Sequence, residues 1–244
     1  MKSRRIDYQP VNGSHYGFSA ARIDDLGAAE YTLVGIAADT SGSVASFLGD
    51  IERCVRDAVV ACRRSPRCDN LMLRVTVFDS SVDELHGFKP LAECAPDAYR
   101  GRLRSGGSTA LYDAAHNAIE SLCRYGQDLT KNDFAVNAIV FVVTDGMDNA
   151  SKLDAPSVKR ALTQAVRAEA LESVVSILVG VNVQDPTVSQ YLSDLRTSAG
   201  FSQYVEIGRA SSDALAKLAD FVSRSISAQS QALGTGQASQ TLTF

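Results

Sequence analysis

The feature that most constrains the fold of this chain is a regular alternation of apolar runs of strand length with segments of helical periodicity. Residues 31–38 (YTLVGIAA) and residues 138–144 (AIVFVVT) are apolar at nearly every position. Strands that are buried on both faces of a parallel sheet have this composition, whereas half-exposed strands alternate apolar and polar residues. The sequence therefore predicts a central sheet that is covered on both sides.

The rest of the chain repeats the same order of strand and helix. Further strands are predicted at residues 71–78, 81–86, 173–179 and 203–207. Helices are predicted at residues 44–62, 110–123, 155–171, 187–198 and 212–228, where apolar residues recur at spacings of three and four. This order indicates an α/β fold class: a Rossmann-like, doubly wound, mostly parallel sheet that is flanked by helices. Ligands of such sheets bind at the carboxyl ends of the strands.

Two segments lie outside this pattern, so the domain itself is assigned to residues 30–228. Residues 1–29 are polar and mixed, and we interpret them as an N-terminal extension in which residues 14–23 add an edge strand. Residues 229–244 are rich in Gln, Ser, Thr and Gly. That composition buries little apolar surface, and it predicts a flexible C-terminal tail.

Composition and charge exclude several classes of protein. The chain has 24 Lys and Arg against 28 Asp and Glu, a formal net charge of −4, so a nucleic-acid-binding protein with a broadly basic surface is not expected. No apolar run approaches the roughly 20 residues that cross a bilayer, and no membrane association is predicted. The five cysteines are widely spread and include no CxxC pair, which favours a reduced, cytoplasmic location.

Polar loops follow the two most apolar strands, and a third polar loop precedes a helix. Together they carry five oxygen-bearing side chains: Asp39, Ser41, Ser43, Thr109 and Asp145. Because the carboxyl ends of parallel strands share one edge of a sheet, these side chains are expected to lie close together. Carboxylates and hydroxyls are hard oxygen donors, which Mg²⁺ or Mn²⁺ prefers and Zn²⁺ does not.

Each of these loops also has a purely structural interpretation. Ser and Asp are favoured at helix N-caps, and Asp before Gly is common in turns. Gly106 and Gly107 lack the lysine of a phosphate-binding loop, and we interpret them as the backbone freedom that lets Thr109 approach an ion. Asp148 and Asn149 are interpreted as solvated loop residues.

The order Asp39-x-Ser41-x-Ser43, then Thr109, then Asp145 resembles the metal-ion-dependent adhesion site of von Willebrand factor A domains. The resemblance covers about residues 30–228 and fills all five positions of the motif. It implies a von Willebrand A fold and a bound Mg²⁺, Mn²⁺ or Ca²⁺. It also implies that the three hydroxyls contact the metal directly, and that the two aspartates act directly or through bound water.

In that family a carboxylate of the partner protein fills the open position on the metal. The resemblance therefore implies a non-enzymatic, metal-dependent binding module whose partner presents an acidic residue. The single-domain form resembles intracellular prokaryotic or phage members, including tellurite-resistance-type proteins and partners of MoxR-like ATPases. The expected partners are thus an ATPase, kinase or phosphatase of the same system, or another copy of the chain.

Two other functions stay open at this point. The first is a structural protein that self-assembles through the metal site. The second is a metal-dependent hydrolase or phosphotransferase, which is disfavoured because the sequence shows no convincing general base or nucleophile beside the site.

Overall fold

The computed structural model describes residues 6–11, 13–167 and 171–244, which form one eight-stranded sheet and five α-helices. The strands are β1 (Ile6–Pro10), β2 (Gly17–Ala21), β3 (Glu30–Asp39), β4 (Leu71–Phe78), β5 (Val82–Pro90), β6 (Ala135–Thr144), β7 (Val174–Val181) and β8 (Gln203–Ile207). The helices are α1 (Leu48–Arg63), α2 (Leu111–Thr130), α3 (Ala155–Arg167), α4 (Pro186–Ala199) and α5 (Ser212–Thr235). The predicted α/β class with a mostly parallel, helix-flanked sheet is confirmed.

The strand order places β3 and β6 side by side at the centre of the sheet, in the order β1-β2-β5-β4-β3-β6-β7-β8. The strands from β4 through β3, β6 and β7 to β8 run parallel, whereas β5 runs antiparallel to β4. The chain leaves β3 through α1 toward β4, and it leaves β6 through α3 toward β7 on the opposite side. A crevice between two such strands is the ligand position of doubly wound sheets.

The core has two layers, one on each face of the sheet. Helices α2, α3 and α4 cover one face, and α1 and α5 pack together on the other. Within β3, Leu33 belongs to the first layer and Val34 to the second, which explains the unbroken apolar run of this strand. None of the helices in the described part of the chain combines the length and apolar character that a membrane crossing requires.

An N-terminal hairpin of β1 and β2 extends the sheet beyond β5. Strand β2 lies within the segment 14–23 for which a strand was predicted, but the prediction that this strand forms the edge is wrong. Strand β1 pairs with its outer side and forms the edge instead. Five residues that end in Pro10 are too short a signal for the pattern of apolar residues to reveal.

A buried ion pair holds this hairpin against the domain. Arg74 on β4 is only 2% exposed, and its Nε donates a hydrogen bond to Glu84 Oε2 on β5 at 2.7 Å. The other guanidinium nitrogens donate to Ser121 Oγ, Asn117 Oδ1 and Gly17 O. The Glu84 carboxylate in turn accepts the backbone N–H of Ser19 on β2 at 3.1 Å. Each guanidinium nitrogen of Arg74 therefore donates at least one hydrogen bond, and the network joins β2, β4, β5 and α2.

The prediction of a flexible tail from residue 229 is wrong, because α5 continues to Thr235. Gln229 is 1% exposed, and its carbonyl accepts a hydrogen bond from Asn137 Nδ2 at 2.8 Å. The Gln229 side-chain amide donates to Ser173 Oγ at 2.9 Å. Ser230 is also buried. Gln229 is buried through hydrogen bonds with residues of β6 and Ser173, and Ser230 accepts one from Arg67, which a composition argument based on apolar area does not anticipate.

The residues after α5 also contact the domain. The carbonyl of Leu242 accepts a hydrogen bond from Gln203 Nε2 at 3.0 Å, and the Phe244 ring packs edge-on against Phe221 with centroids 5.5 Å apart. This segment therefore lies against β8 and α5.

A chain that ends at residue 228 is expected to lose at least about 3 kcal/mol of its free energy of unfolding. The truncation removes the buried side chain of Leu233 and leaves the Asn137 amide without its acceptor. A chain that ends at residue 236 keeps all of α5 and is the matched control, with an expected loss below about 2 kcal/mol. Urea denaturation checks both values, and equal stability of the two truncated chains would contradict the role given to the end of α5.

Candidate metal centre

Asp39 is the last residue of β3 and lies at the switch point of the sheet, the crevice between β3 and β6 from which the chain continues in opposite directions, with 0% of its surface exposed. Its Oδ1 accepts the backbone N–H of Ser41 at 2.8 Å, and its Oδ2 accepts the hydroxyl of Thr144 at 2.6 Å. Thr144 is the last residue of β6, so this second bond joins the two central strands. Sequence reasoning did not single out Thr144, whose only signal is its position directly before Asp145.

The hydroxyls of the loop after β3 face the loop after β6. Ser41 Oγ lies 3.1 Å from Ser43 Oγ, and Ser43 Oγ donates a hydrogen bond to Asp145 Oδ1 at 2.8 Å. Residues Gly42–Ser46 form a 3₁₀ turn, so α1 begins later than the residue 44 that was predicted. Three oxygen atoms from two loops are therefore linked by short contacts, with exposed Ser43 between Asp145 and buried Ser41.

The loop that contains Gly106 and Gly107 is joined to the loop after β3 by two backbone hydrogen bonds. Gly106 N donates to Thr40 O at 2.9 Å, and Gly42 N donates to Gly107 O at 3.2 Å. Gly107 has a φ of +69°, and a Cβ atom there would lie 2.6 Å from Ser80 Oγ. Only glycine fits this conformation and this close approach, so the loop depends on its second glycine.

Thr109 lies two residues after Gly107 and is 5% exposed, and the loop after β6 fixes its backbone. Thr109 N donates to Asn149 Oδ1 at 2.7 Å, and Tyr112 N donates to Asp148 Oδ2 at 3.1 Å. Asp148 and Asn149 lie in a loop with Asn149 exposed, as interpreted, but their side chains also accept backbone N–H groups just before and within the first turn of α2. Their partners lie 40 and 36 residues away in the sequence, which no local pattern reveals.

The structure thus links four of the five candidate side chains through hydrogen bonds and brings Thr109 to the same edge through its loop. The linked residues are Asp39, Ser41, Ser43 and Asp145. The contacts that position Thr109 are those of its backbone and of the glycines before it.

Burial dominates the electrostatics of the two carboxylates. It raises the pKa of Asp39 to about 6, although hydrogen bonds from Thr144 and Ser41 oppose the shift. Burial also raises the pKa of Asp145, against the hydrogen bond from Ser43. Neither carboxylate forms an ion pair with a lysine or arginine of the described residues. A cation at this edge would therefore supply positive charge that the surrounding side chains do not.

The donor chemistry fits a hard cation. Across residues 6–11, 13–167 and 171–244, no group of three or more His, Cys, Asp or Glu side chains is arranged to hold a metal. A metal at this edge would therefore depend on the hydroxyls as well as the carboxylates. Hydroxyl, carboxylate and water oxygens suit Mg²⁺ and Mn²⁺, whereas structural Zn²⁺ sites favour nitrogen and sulfur.

Comparisons of the sequence with known proteins find no relatives. No protein-family model matches the chain, and no curated protein is similar to it.

Solved structures do share its fold. The PilB minor pilin from Streptococcus sanguinis superposes with a TM-score of 0.60 at 15% identity, over 89% of this chain and 66% of the pilin. The pilus adhesin SpaC from Lactobacillus rhamnosus GG gives a TM-score of 0.59 at 12% identity, over 91% of this chain and 33% of the adhesin. The chain thus spans just under two thirds of the pilin and a third of the adhesin.

A third similar structure is proximal thread matrix protein 1 (PTMP1) from the mussel byssus, with a TM-score of 0.56 at 20% identity. The similarity covers 83% of this chain and 47% of PTMP1. Another structure of PTMP1, with a TM-score of 0.53, has zinc in its metal-ion-dependent adhesion site motif. At these identities the comparisons show a common fold, and they show that one protein of this fold holds a divalent metal in such a motif.

Proposed function

We propose that this chain is a non-catalytic, divalent-metal-dependent protein-binding module of the von Willebrand A type. The observation that carries the proposal is the set of contacting oxygens from Ser41, Ser43 and Asp145 beside the buried carboxylate of Asp39. These residues lie at the switch point of a doubly wound sheet, where a ligand is expected. The metal-containing PTMP1 structure supports a divalent cation in this fold.

Mg²⁺ or Mn²⁺ is the proposed occupant. Neighbouring ligands of an octahedral ion with bonds of about 2.1 Å lie about 3 Å apart. The spacings of 3.1 Å between Ser41 Oγ and Ser43 Oγ, and of 2.8 Å between Ser43 Oγ and Asp145 Oδ1, are close to this value. Ca²⁺, with bonds of about 2.3–2.6 Å, requires a wider arrangement. Because O–H···O hydrogen bonds have the same lengths, the choice of Mg²⁺ or Mn²⁺ rests on the hard oxygen donors, with Ca²⁺ as the alternative.

The roles proposed for the five residues agree with the contacts described above. Ser41 and Ser43 present hydroxyl ligands, Thr109 adds a third, and Asp145 lies beside Ser43 at the open side of the site. Both oxygens of Asp39 are already engaged, by Ser41 N–H and the Thr144 hydroxyl. Asp39 is therefore proposed to orient ligands and to act on the metal through bound water, as outer-sphere carboxylates do.

The proposed partner is a protein that presents an acidic residue. Hydroxyl ligands leave the charge of the cation unreduced, and Mg²⁺ keeps exchangeable water positions that a carboxylate can fill. An ATPase, kinase or phosphatase of the same system, or another copy of the chain, is the proposed source of that residue. A cytoplasmic location is proposed with it, since four of the five cysteines are buried free thiols.

Partner capture from the native host extract is expected to require both the metal and Asp145. Partners should bind the wild-type chain in Mg²⁺, and should be lost in EDTA and from the Asp145→Asn variant. Asp185→Asn is the matched control, since it removes one charge at the start of α4, retains an oxygen acceptor for Thr187 N, and should keep the partners. The bound partners are identified and quantified by mass spectrometry.

Equal capture in EDTA and in Mg²⁺ would refute the proposed function. Capture of the chain itself, with Mg²⁺-dependent oligomers in analytical ultracentrifugation, would identify the self-assembling alternative. Turnover of a generic phosphoester that is lost in Asp145→Asn would identify the enzymatic alternative.

A further inference from the structure

The loop after β6 and the first turn of α2 hold each other through hydrogen bonds that run in both directions. Three side chains of the loop accept backbone N–H groups at the helix start: Asn149 from Thr109 at 2.7 Å, Asp148 from Tyr112 at 3.1 Å and Ser151 from Asp113 at 3.0 Å. In return the buried carboxylate of Asp113 accepts the N–H of Leu153 at 2.9 Å. We call this set of contacts the clasp.

The clasp replaces a local helix cap that α2 does not have. The first N–H groups of a helix have no acceptor within the helix, and usually a side chain at the N-cap position accepts one of them. The residue at this position is Ala110, which has no polar side chain. The acceptors come instead from the loop that also carries Asp145. The start of α2 is therefore positioned by that loop.

Within the clasp, Asn149 holds the backbone of Thr109 from both sides. Its Oδ1 accepts the N–H of Thr109, and its own N–H donates to the carbonyl of Thr109 at 3.0 Å. Asn149 lies four residues after Asp145 in the same loop. Thr109 and Asp145 belong to different loops. The hydrogen bonds of Asn149 with Thr109 therefore fix the distance between them.

We infer that Asn149 is a positioning residue of the metal centre, which holds Thr109 where its hydroxyl and Asp145 reach the same ion. The inference rests on the proposed function, since it assumes that a divalent cation binds between these residues. Asn149 acts through the backbone of Thr109 and does not itself contact the ion. Side chains that orient metal ligands in this way typically change metal affinity by 10- to 100-fold when they are replaced.

The competing explanation is that Asn149 only caps the start of α2 and does not affect metal binding. Three variants distinguish this explanation from the inference. Asn149→Ala removes the acceptor for Thr109 N, whereas Asn149→Asp keeps an oxygen acceptor in the same place. Ser211→Ala removes a neutral cap of the same kind from α5, where Ser211 Oγ accepts the N–H of Ala214 at 3.2 Å. Mn²⁺ alone is titrated into each full-length protein, and the free ion is measured by its electron paramagnetic resonance signal.

The expected result is a dissociation constant for Mn²⁺ that rises about 10-fold or more in Asn149→Ala. Asn149→Asp and Ser211→Ala should remain within about 3-fold of the wild type. Hydrogen exchange of the Thr109 amide should accelerate in Asn149→Ala only. An unchanged constant in Asn149→Ala, or an equal loss in Ser211→Ala, would overturn the inference and leave the proposed function intact. If the wild-type chain binds no Mn²⁺, both the proposed function and this inference are overturned.

Discussion

Asp39→Asn is expected to weaken divalent metal binding by about 10- to 100-fold and, in the metal-free protein at pH 8, to raise the free energy of unfolding by about 3 kcal/mol. The carboxylate of Asp39 is fully buried, and burial raises its pKa from 3.8 to about 6. A difference of about two pKa units between the folded and unfolded states corresponds to about 3 kcal/mol. Asparagine keeps the shape of the side chain and an oxygen for Ser41 N–H, but it carries no charge to be buried.

The pH dependence of this effect follows from the direction of the shift. Because the pKa is higher in the folded state, the folded protein binds more protons between about pH 4 and pH 6. The contribution of Asp39 to stability therefore falls as the pH rises through this window, and the full cost is present above about pH 6. The advantage of Asp39→Asn should thus be large at pH 8 and nearly absent at pH 4.

Urea denaturation in EDTA at the two pH values measures the stability, and Mn²⁺ titration measures the affinity. Asp185→Asn, which removes a carboxylate whose partner Thr187 N lies at the exposed start of α4, should change neither quantity by much. The role of Asp39 would be contradicted if Asp39→Asn were no more stable than the wild type at pH 8, or if its affinity for Mn²⁺ were unchanged. At one fixed concentration, Mg²⁺ should stabilise the wild-type chain more than the variant, because the variant binds the ion more weakly.

Arg74→Met is expected to lower the free energy of unfolding by about 3–5 kcal/mol. Arg74 is buried and donates to the Glu84 carboxylate at 2.7 Å, so its removal leaves that carboxylate without its counter-charge. The acceptors Ser121 and Asn117 also lose their donor. Since the same network reaches β2, the β1–β2 hairpin should become sensitive to limited proteolysis at the same time.

Two comparisons isolate the ion pair in urea denaturation. The double variant Arg74→Met/Glu84→Leu should be more stable than Arg74→Met alone, because no unpaired charge stays buried. Arg100→Met, which breaks an exposed pair with Asp97, should cost less than about 1 kcal/mol. Equal losses in the single and double variants would show that the packing of Arg74, and not its charge, stabilises the hairpin.

The candidate metal residues show which contacts a local sequence pattern predicts and which it does not. Asp39, Ser41 and Ser43 follow an apolar strand within five positions, so their common loop is visible in the sequence. The hydrogen bond of Asp39 with Thr144 is not visible, because it depends on β3 and β6 being neighbours. The same holds for Asn149, whose partner Thr109 lies 40 residues away.

The sequence by itself determined the fold class, the order of strands and helices, and the residue types that meet at the carboxyl edge of the sheet. These properties follow from the period of apolar residues and from loop chemistry, which are local. Tertiary structure alone decided the outer strand β1, the full length of α5, the buried pair of Arg74 with Glu84, and the clasp on Thr109. Strand β1 is too short for its pattern of apolar residues to reveal it, and the others depend on hydrogen bonds between polar groups whose partners only the topology brings together.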